Sequence, residues 1–168
     1  MEEYRDIKDY ENYQVSNIGN VRNKITEKIL RPGIDAHGYY LVVLYKNRKG
    51  TSKKIHRLMC ETFLDNYENK SCVDHIDNNK LNNDLKNLRW CSHKENNQNK
   101  KIPKNNTSGV KGVHFHKQKN KWMAYIKIDG IQINLGYYDN IEDAQAARIA
   151  KANQVFGVFT NSCELLKA

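Results

Sequence analysis

The chain has 168 residues, 39% of them hydrophobic and 10% aromatic, which is enough apolar material for two small cores but not for one large one. Lys and Arg total 28 against 19 Asp and Glu, and the formal charge of +9 is unevenly spread, since residues 98–127 hold eight lysines and no acidic residue. That basic stretch has no apolar helical face for a membrane interface and no apolar run approaches spanning length, so membranes are excluded and a polyanion, nucleic acid, is the expected partner.

In chain order, the acidic and polar start Met1-Glu2-Glu3-Tyr4-Arg5-Asp6 lacks the basic head and apolar run of a secretory signal, so a cytoplasmic location without disulfides is expected. Residues 13–22 alternate apolar and polar around Asn17 and Gly19, a pattern for two short strands joined by a turn. Strands are expected at 39–45 and 52–55, with the turn at 47–50. A helix follows, because Ile55, Leu58, Met59, Thr62 and Phe63 recur at helical spacing. His56 opens that helix and reads as a structural histidine hydrogen-bonded to backbone, with a catalytic role as the alternative. The Asn-rich stretch 70–101 reads as a strand ending near Asp74, an irregular loop, a short strand at 88–90 and a helix. Ser92 and Glu95 fit a capping box at the helix start, which puts Asn96 on its first turns.

Residues 99–109, polar and lysine-bearing with Pro103, have the composition of an exposed linker, and a domain boundary is placed there. Beyond it Trp122, Ala124, Ile126 and Ile128 alternate with polar neighbours, as do Ile131, Ile133 and Leu135, and Asp129-Gly130 between the two runs is a hairpin turn pair. Val113 and Phe115 begin a third strand. An alanine-rich helix is expected over 141–156, capped by Asn140, with Ile141, Ala144, Ala147 and Val155 on one side. Cys60, Cys72, Cys91 and Cys163 lack the close C-x-x-C spacing of a zinc ribbon and read as buried small residues.

Chemistry concentrates in the Asn-rich stretch. Asp74 offers a carboxylate and Asn96 an amide oxygen, hard donors that suit magnesium or manganese and leave room for waters and a phosphate. His75, with an ordinary pKa of about 6.5, can serve as a neutral base at physiological pH. Activated water, charge stabilisation and help for a leaving oxygen are what phosphodiester hydrolysis requires. Asp74 and His75 are neighbours, and neighbours on a regular strand face opposite ways, so they converge only where the strand breaks, a break expected in the Asn-rich loop. Arg89 is either a phosphate contact or an exposed strand-edge residue. In the last module the apolar strand residues face the helix, leaving Lys111, His114, His116, Lys121, Tyr125, Lys127, Gln132 and Asn134 outward as a candidate DNA-reading face.

Val73-Asp74-His75-Ile76-Asp77-Asn78-Asn79-Lys80-Leu81-Asn82-Asn83, with Asn87-Leu88-Arg89-Trp90 and Asn96, closely resembles the HNH homing endonucleases encoded in phage introns. The resemblance implies a ββα-metal core in which His75 is the general base, Asn87 orients its loop, and Asp74 with Asn96 holds the metal. Asn96 stands where the family name has its final His, and His93, one turn earlier, is a possible assistant. Tyr10-Glu11-Asn12-Tyr13-Gln14-Val15-Ser16-Asn17-Ile18-Gly19-Asn20-Val21 looks like the module that precedes HNH in these enzymes, with Tyr4 where Trp is usual. Ser108-Gly109-Val110-Lys111-Gly112-Val113, Lys121-Trp122-Met123-Ala124-Tyr125-Ile126 and the alanine-rich helix resemble the plant APETALA2 DNA-binding domain, which implies a three-stranded sheet reading a DNA groove. The arginines and tryptophan of the plant surface are here Lys, His, Gln and Asn, so its base preference does not carry over.

The expectation is therefore an α+β chain: a β-rich module over 1–50, a ββα-metal HNH core over 51–101, a linker over 102–108, and over 109–160 a three-stranded antiparallel sheet packed on one helix. Its expected role is a monomeric, metal-dependent endonuclease on double-stranded DNA, phage-encoded or bacterial, nicking with one active site and needing no obligate protein partner. The rival is a non-cutting DNA-binding regulator with a degenerate nuclease core.

Overall fold

Alternating side chains and turn residues produce short strands throughout the N-terminal half of the structure, a computed structural model that describes residues 1–103 and 105–164. Tyr4–Ile7 (β1), Tyr10–Ser16 (β2) and Val21–Asn23 (β3) form one antiparallel sheet, with Asp9 and Gly19 at positive φ in its turns. Gly33–Ile34 (β4), Tyr40–Lys46 (β5) and Lys49–Lys54 (β6) form another, closed by Asn47 and Arg48, both at positive φ as a tight hairpin needs. β1 and β4 are additions to the sequence expectation. Both are short edge strands whose pattern is too brief to read, and β4 is wholly exposed.

Helix α1 (Ile55–Phe63) buries Ile55, Leu58, Met59 and Cys60 against these sheets. Its core also takes Val15, Val21, Val42, Leu44 and Leu88, so the two small sheets share one apolar centre. Strand β7 (Cys72–His75) pairs antiparallel with β8 (Leu88–Cys91), and helix α2 (His93–Gln98) follows Ser92. The Trp90 indole N–H donates to the Leu64 carbonyl at 3.1 Å, fastening this hairpin to the end of α1.

Contacts divide the chain into two compact units, Met1–His93 and Lys94–Ala168. In the second, β9 (Val113–His116), β10 (Lys121–Ile128) and β11 (Ile131–Tyr138) form an antiparallel sheet in the order β11-β10-β9, with Asp129 and Gly130 at positive φ in the turn. Helix α3 (Ile141–Phe156) begins where the Asn140 side chain accepts from the Asp143 N–H at 2.8 Å. Its buried stripe is Ala144, Arg148, Ala152 and Phe156, each four residues on from the last, while Val155, expected inside, is exposed. A register shift between Ala124 and Tyr125 ends the simple alternation of β11. Ile131 and Ile133, expected to be half-buried, are 68% and 39% exposed, and Ala124 pairs with Gly136. Among the cysteines Cys60 and Cys91 are buried as expected, whereas Cys163 is exposed. No helix among the described residues is long and apolar enough to cross a membrane.

Candidate active site

Strand β7 runs unbroken through both members of the Asp-His pair, with Asp74 opposite Arg89 and His75 opposite Leu88. The two side chains therefore leave on opposite faces, and the strand break expected between them comes one residue later. Each is only 5% exposed.

On one face, Arg89 donates from Nε at 2.9 Å and from a terminal nitrogen at 2.7 Å to the same oxygen, Oδ2 of Asp74. The Arg89 side chain is 16% exposed, so it is not an open strand edge but a cation brought to the carboxylate. Burial strengthens such a pair and also makes either partner costly to remove. On this same face Cys72 Sγ lies 3.2 Å from Nδ1 of His93, the last residue of the first unit, which occupies the candidate metal assistant with a thiol.

On the other face His75 sits in an aromatic nest. Its ring centroid is 5.1 Å from that of His56, edge-on, and 5.8 Å from that of Tyr39, and Tyr39 in turn packs on His56 at 4.7 Å. His75 Nε2 lies 3.2 Å from Asn83 Oδ1. An amide oxygen only accepts, so as a hydrogen bond this contact puts the ring proton on Nε2. Burial pulls the His75 pKa below the ordinary value, which keeps the ring neutral at physiological pH. His56 is pulled further, to about 3, by burial and then by the neighbouring His75. Among the described residues the buried Nδ1 of His56 has no hydrogen-bond partner, in place of the backbone bond expected for it.

The loop after His75 is built by side-chain amides. Asn87 accepts the Asp77 N–H at 3.0 Å and donates to Asp77 Oδ1 at 2.9 Å and to the Asn82 carbonyl at 2.8 Å. Asp77 is held low, against its burial, by further bonds from the Asn79 N–H and the Asn82 amide at 2.7 Å each. This closed network explains why the stretch is rich in Asn: each short amide can satisfy a backbone group and a carboxylate at once. Gly19, in the turn before β3, is pressed on the far side. A Cβ there would meet Asn83 Cβ at 3.3 Å, so the N-terminal sheet backs the residue that orients His75.

Asn96 lies half-buried on α2, three residues after His93 and in the second unit. Among the described residues no group of three or more His, Cys, Asp or Glu could hold a metal. Asp74 in the first unit and Asn96 in the second each offer one hard oxygen, a carboxylate and an amide. That donor set fits magnesium, which keeps several waters, better than a metal needing a full protein cage.

In the second unit the strand register puts His114, His116, Lys121, Tyr125, Lys127, Gln132 and Asn134 on one face of the sheet, together with Met123 and Tyr137. Lys111 is not among them. Its ammonium is 3.0 Å from the buried Glu164 carboxylate, which also meets the buried Arg148, and it donates to the Gln98 carbonyl at 2.8 Å. A groove of about 1000 Å³ opens in this unit beside the sheet, with Lys94, Lys100, Lys101 and Lys127 among its lining. Sequence reasoning missed it, and it also missed Tyr39, Asn83 and Gly19. Only the density of Asn around position 83 hinted at any of these.

Comparison with known proteins gives the frame for this geometry. The NUMOD4 motif matches residues 2–45 and the HNH endonuclease family matches residues 53–98. DNA endonuclease I-HmuI of Bacillus phage SP01 is 39% identical over 132 residues, covering 77% of this chain and 75% of the relative. An HNH endonuclease of Acanthamoeba polyphaga mimivirus is 32% identical over 145 residues, and there the chain spans 43% of the relative's length. A solved structure of I-HmuI, described as binding and cleaving DNA, superimposes with a TM-score of 0.56 at 35% identity, covering 86% of this chain and 82% of that one. The chain, similar to phage homing endonucleases, belongs to the HNH endonuclease family.

Proposed function

We propose that this chain is a metal-dependent DNA endonuclease that hydrolyses phosphodiester bonds and nicks double-stranded DNA as a monomer. The observation that carries the reading is a buried His75, its pKa lowered by burial and its Nε2 against Asn83, inside a chain of the HNH family. In this reading His75 Nδ1 takes the proton from the attacking water, and Asn87 holds the loop that sets the ring. Asp74 and Asn96 are the residues that would hold a magnesium or manganese ion. When bound, such an ion stabilises charge on the phosphate and on the departing oxygen. The outer face of the C-terminal sheet, from His114 to Asn134, and the lysine-lined groove grip the DNA backbone and reach for base edges. The finer division into a 1–50 module, a 51–101 core, a 102–108 linker and an APETALA2-like 109–160 domain belongs to the same proposal.

A second reading has one observation in its favour. Two Arg89 nitrogens donate to Asp74 Oδ2 and so engage the carboxylate that a metal would need, which fits a non-cutting DNA-binding regulator. Supercoiled plasmid incubated with magnesium decides between them. Nicking that stops with a chelator and with His75→Ala, while DNA binding persists, supports the nuclease. Binding without nicking in the wild-type chain supports the regulator.

A further inference from the structure

Beside His75, in the first unit, stands a feature that neither the resemblance nor the proposed chemistry uses. Lys54 and Lys80 come from different elements, the end of β6 and the loop after β7, yet both ammonium groups sit over the ring of Tyr39, at 4.5 and 4.8 Å from its centroid. The Lys80 ammonium is fixed there by donating to the His37 carbonyl at 2.9 Å. Lys54 is 3.2 Å from Asp35, whose carboxylate also accepts the backbone N–H groups of His37 and Tyr39. Asp35 is thus paired with Lys54, while among the described residues the Lys80 ammonium meets only a neutral backbone carbonyl besides the ring and keeps its full charge for an anion. An ammonium group held over a ring by its quadrupole still attracts an anion, and two of them on one ring concentrate positive charge beside the base. The Tyr39 ring connects the two ammonium groups to the base through its contacts with His56 and with His75.

We propose that Lys54 and Lys80, seated on Tyr39, form a backbone-phosphate seat beside His75 that holds a DNA phosphate next to the one being cut. This rests on the endonuclease reading and deepens it: the seat sets the register of the strand against the base. Tyr39 is a positioning residue, because it carries the two cations and touches the ring of His75. Phosphate contacts fix register and orientation without reading sequence, which suits a seat made of lysines.

The test uses the full chain with a plain duplex at several salt concentrations in chelator, and single-turnover nicking of supercoiled plasmid at saturating protein. Each phosphate contact adds about 0.9 to the slope of log affinity against log salt. Lys80→Gln is expected to lower that slope by about one, and Lys54→Gln with Lys80→Gln by about two, with slower nicking even at saturation. Tyr39→Ala should lower both readings, whereas Tyr39→Phe, which keeps the ring, should keep the slope. An unchanged slope in the double lysine variant overturns the seat. A lowered slope with full nicking rate overturns its place beside the cut. A wild-type chain that binds but never nicks defeats the endonuclease reading instead, and the slopes still report on the seat.

Discussion

His56 makes stability depend on acid in a way that can be worked out from its surroundings. It is 6% exposed, its Nδ1 has no hydrogen-bond partner, and burial holds its folded pKa at about 3 against 6.5 in the unfolded chain. Protons therefore bind the unfolded state more readily, so the contribution is complete above pH 6.5 and is lost as pH falls toward 3. At pH 4 the solution lies about 2.5 units below the unfolded value, and at 1.36 kcal/mol per unit this site alone removes about 3 kcal/mol. His56→Phe keeps a ring against Tyr39 and His75 but cannot take up a proton. Urea unfolding of both proteins at pH 7 and pH 4 isolates the site, because His75 titrates in each. The wild type should lose about 3 kcal/mol more than the variant between the two pH values, while at pH 7 the two should agree within about 1 kcal/mol. Parallel losses would show that His56 is not held neutral by its burial and would refute the reasoning.

Other substitutions test the remaining supports of the site. Arg89→Ala strands the buried Asp74 carboxylate and should lower stability by about 3 kcal/mol in chemical unfolding, with part of the loss recovered by millimolar magnesium if a cation can take the guanidinium's place. Asn87→Ala removes three hydrogen bonds of the loop after His75, so plasmid nicking should fall by at least tenfold at a stability cost of about 2 kcal/mol. Gly19→Ala combines a φ of +90° with a Cβ 3.3 Å from Asn83, and it should slow nicking and lower the melting temperature although position 19 touches no reacting group.

Local signals were enough wherever neighbouring residues decide the outcome. The Asp129-Gly130 hairpin, the Asn140 cap and the α1 stripe could all be read from spacing, because turn chemistry, capping and periodicity act within a few residues. Asp74, His75 and Asn87 stand in one dense motif, but the expected convergence of Asp74 and His75 does not occur, because the strand runs unbroken through both. What failed depended on partners far along the chain. Val155 was given the core side of α3, but that side is taken by Arg148, which is buried because Glu164 meets it there. Lys111 was assigned to the outer face and was drawn to the same carboxylate.

The sequence by itself determined the kinds of element, the run of residues that carries the chemistry and the charge that points to nucleic acid. Only tertiary structure decided what surrounds the Asp-His pair: Arg89 on one face, and Tyr39, His56 and Asn83 on the other. The physical reason is that backbone conformation follows from near neighbours, whereas desolvation, tautomer and pairing are set by whatever the fold packs against a side chain, and no spacing along the chain encodes that.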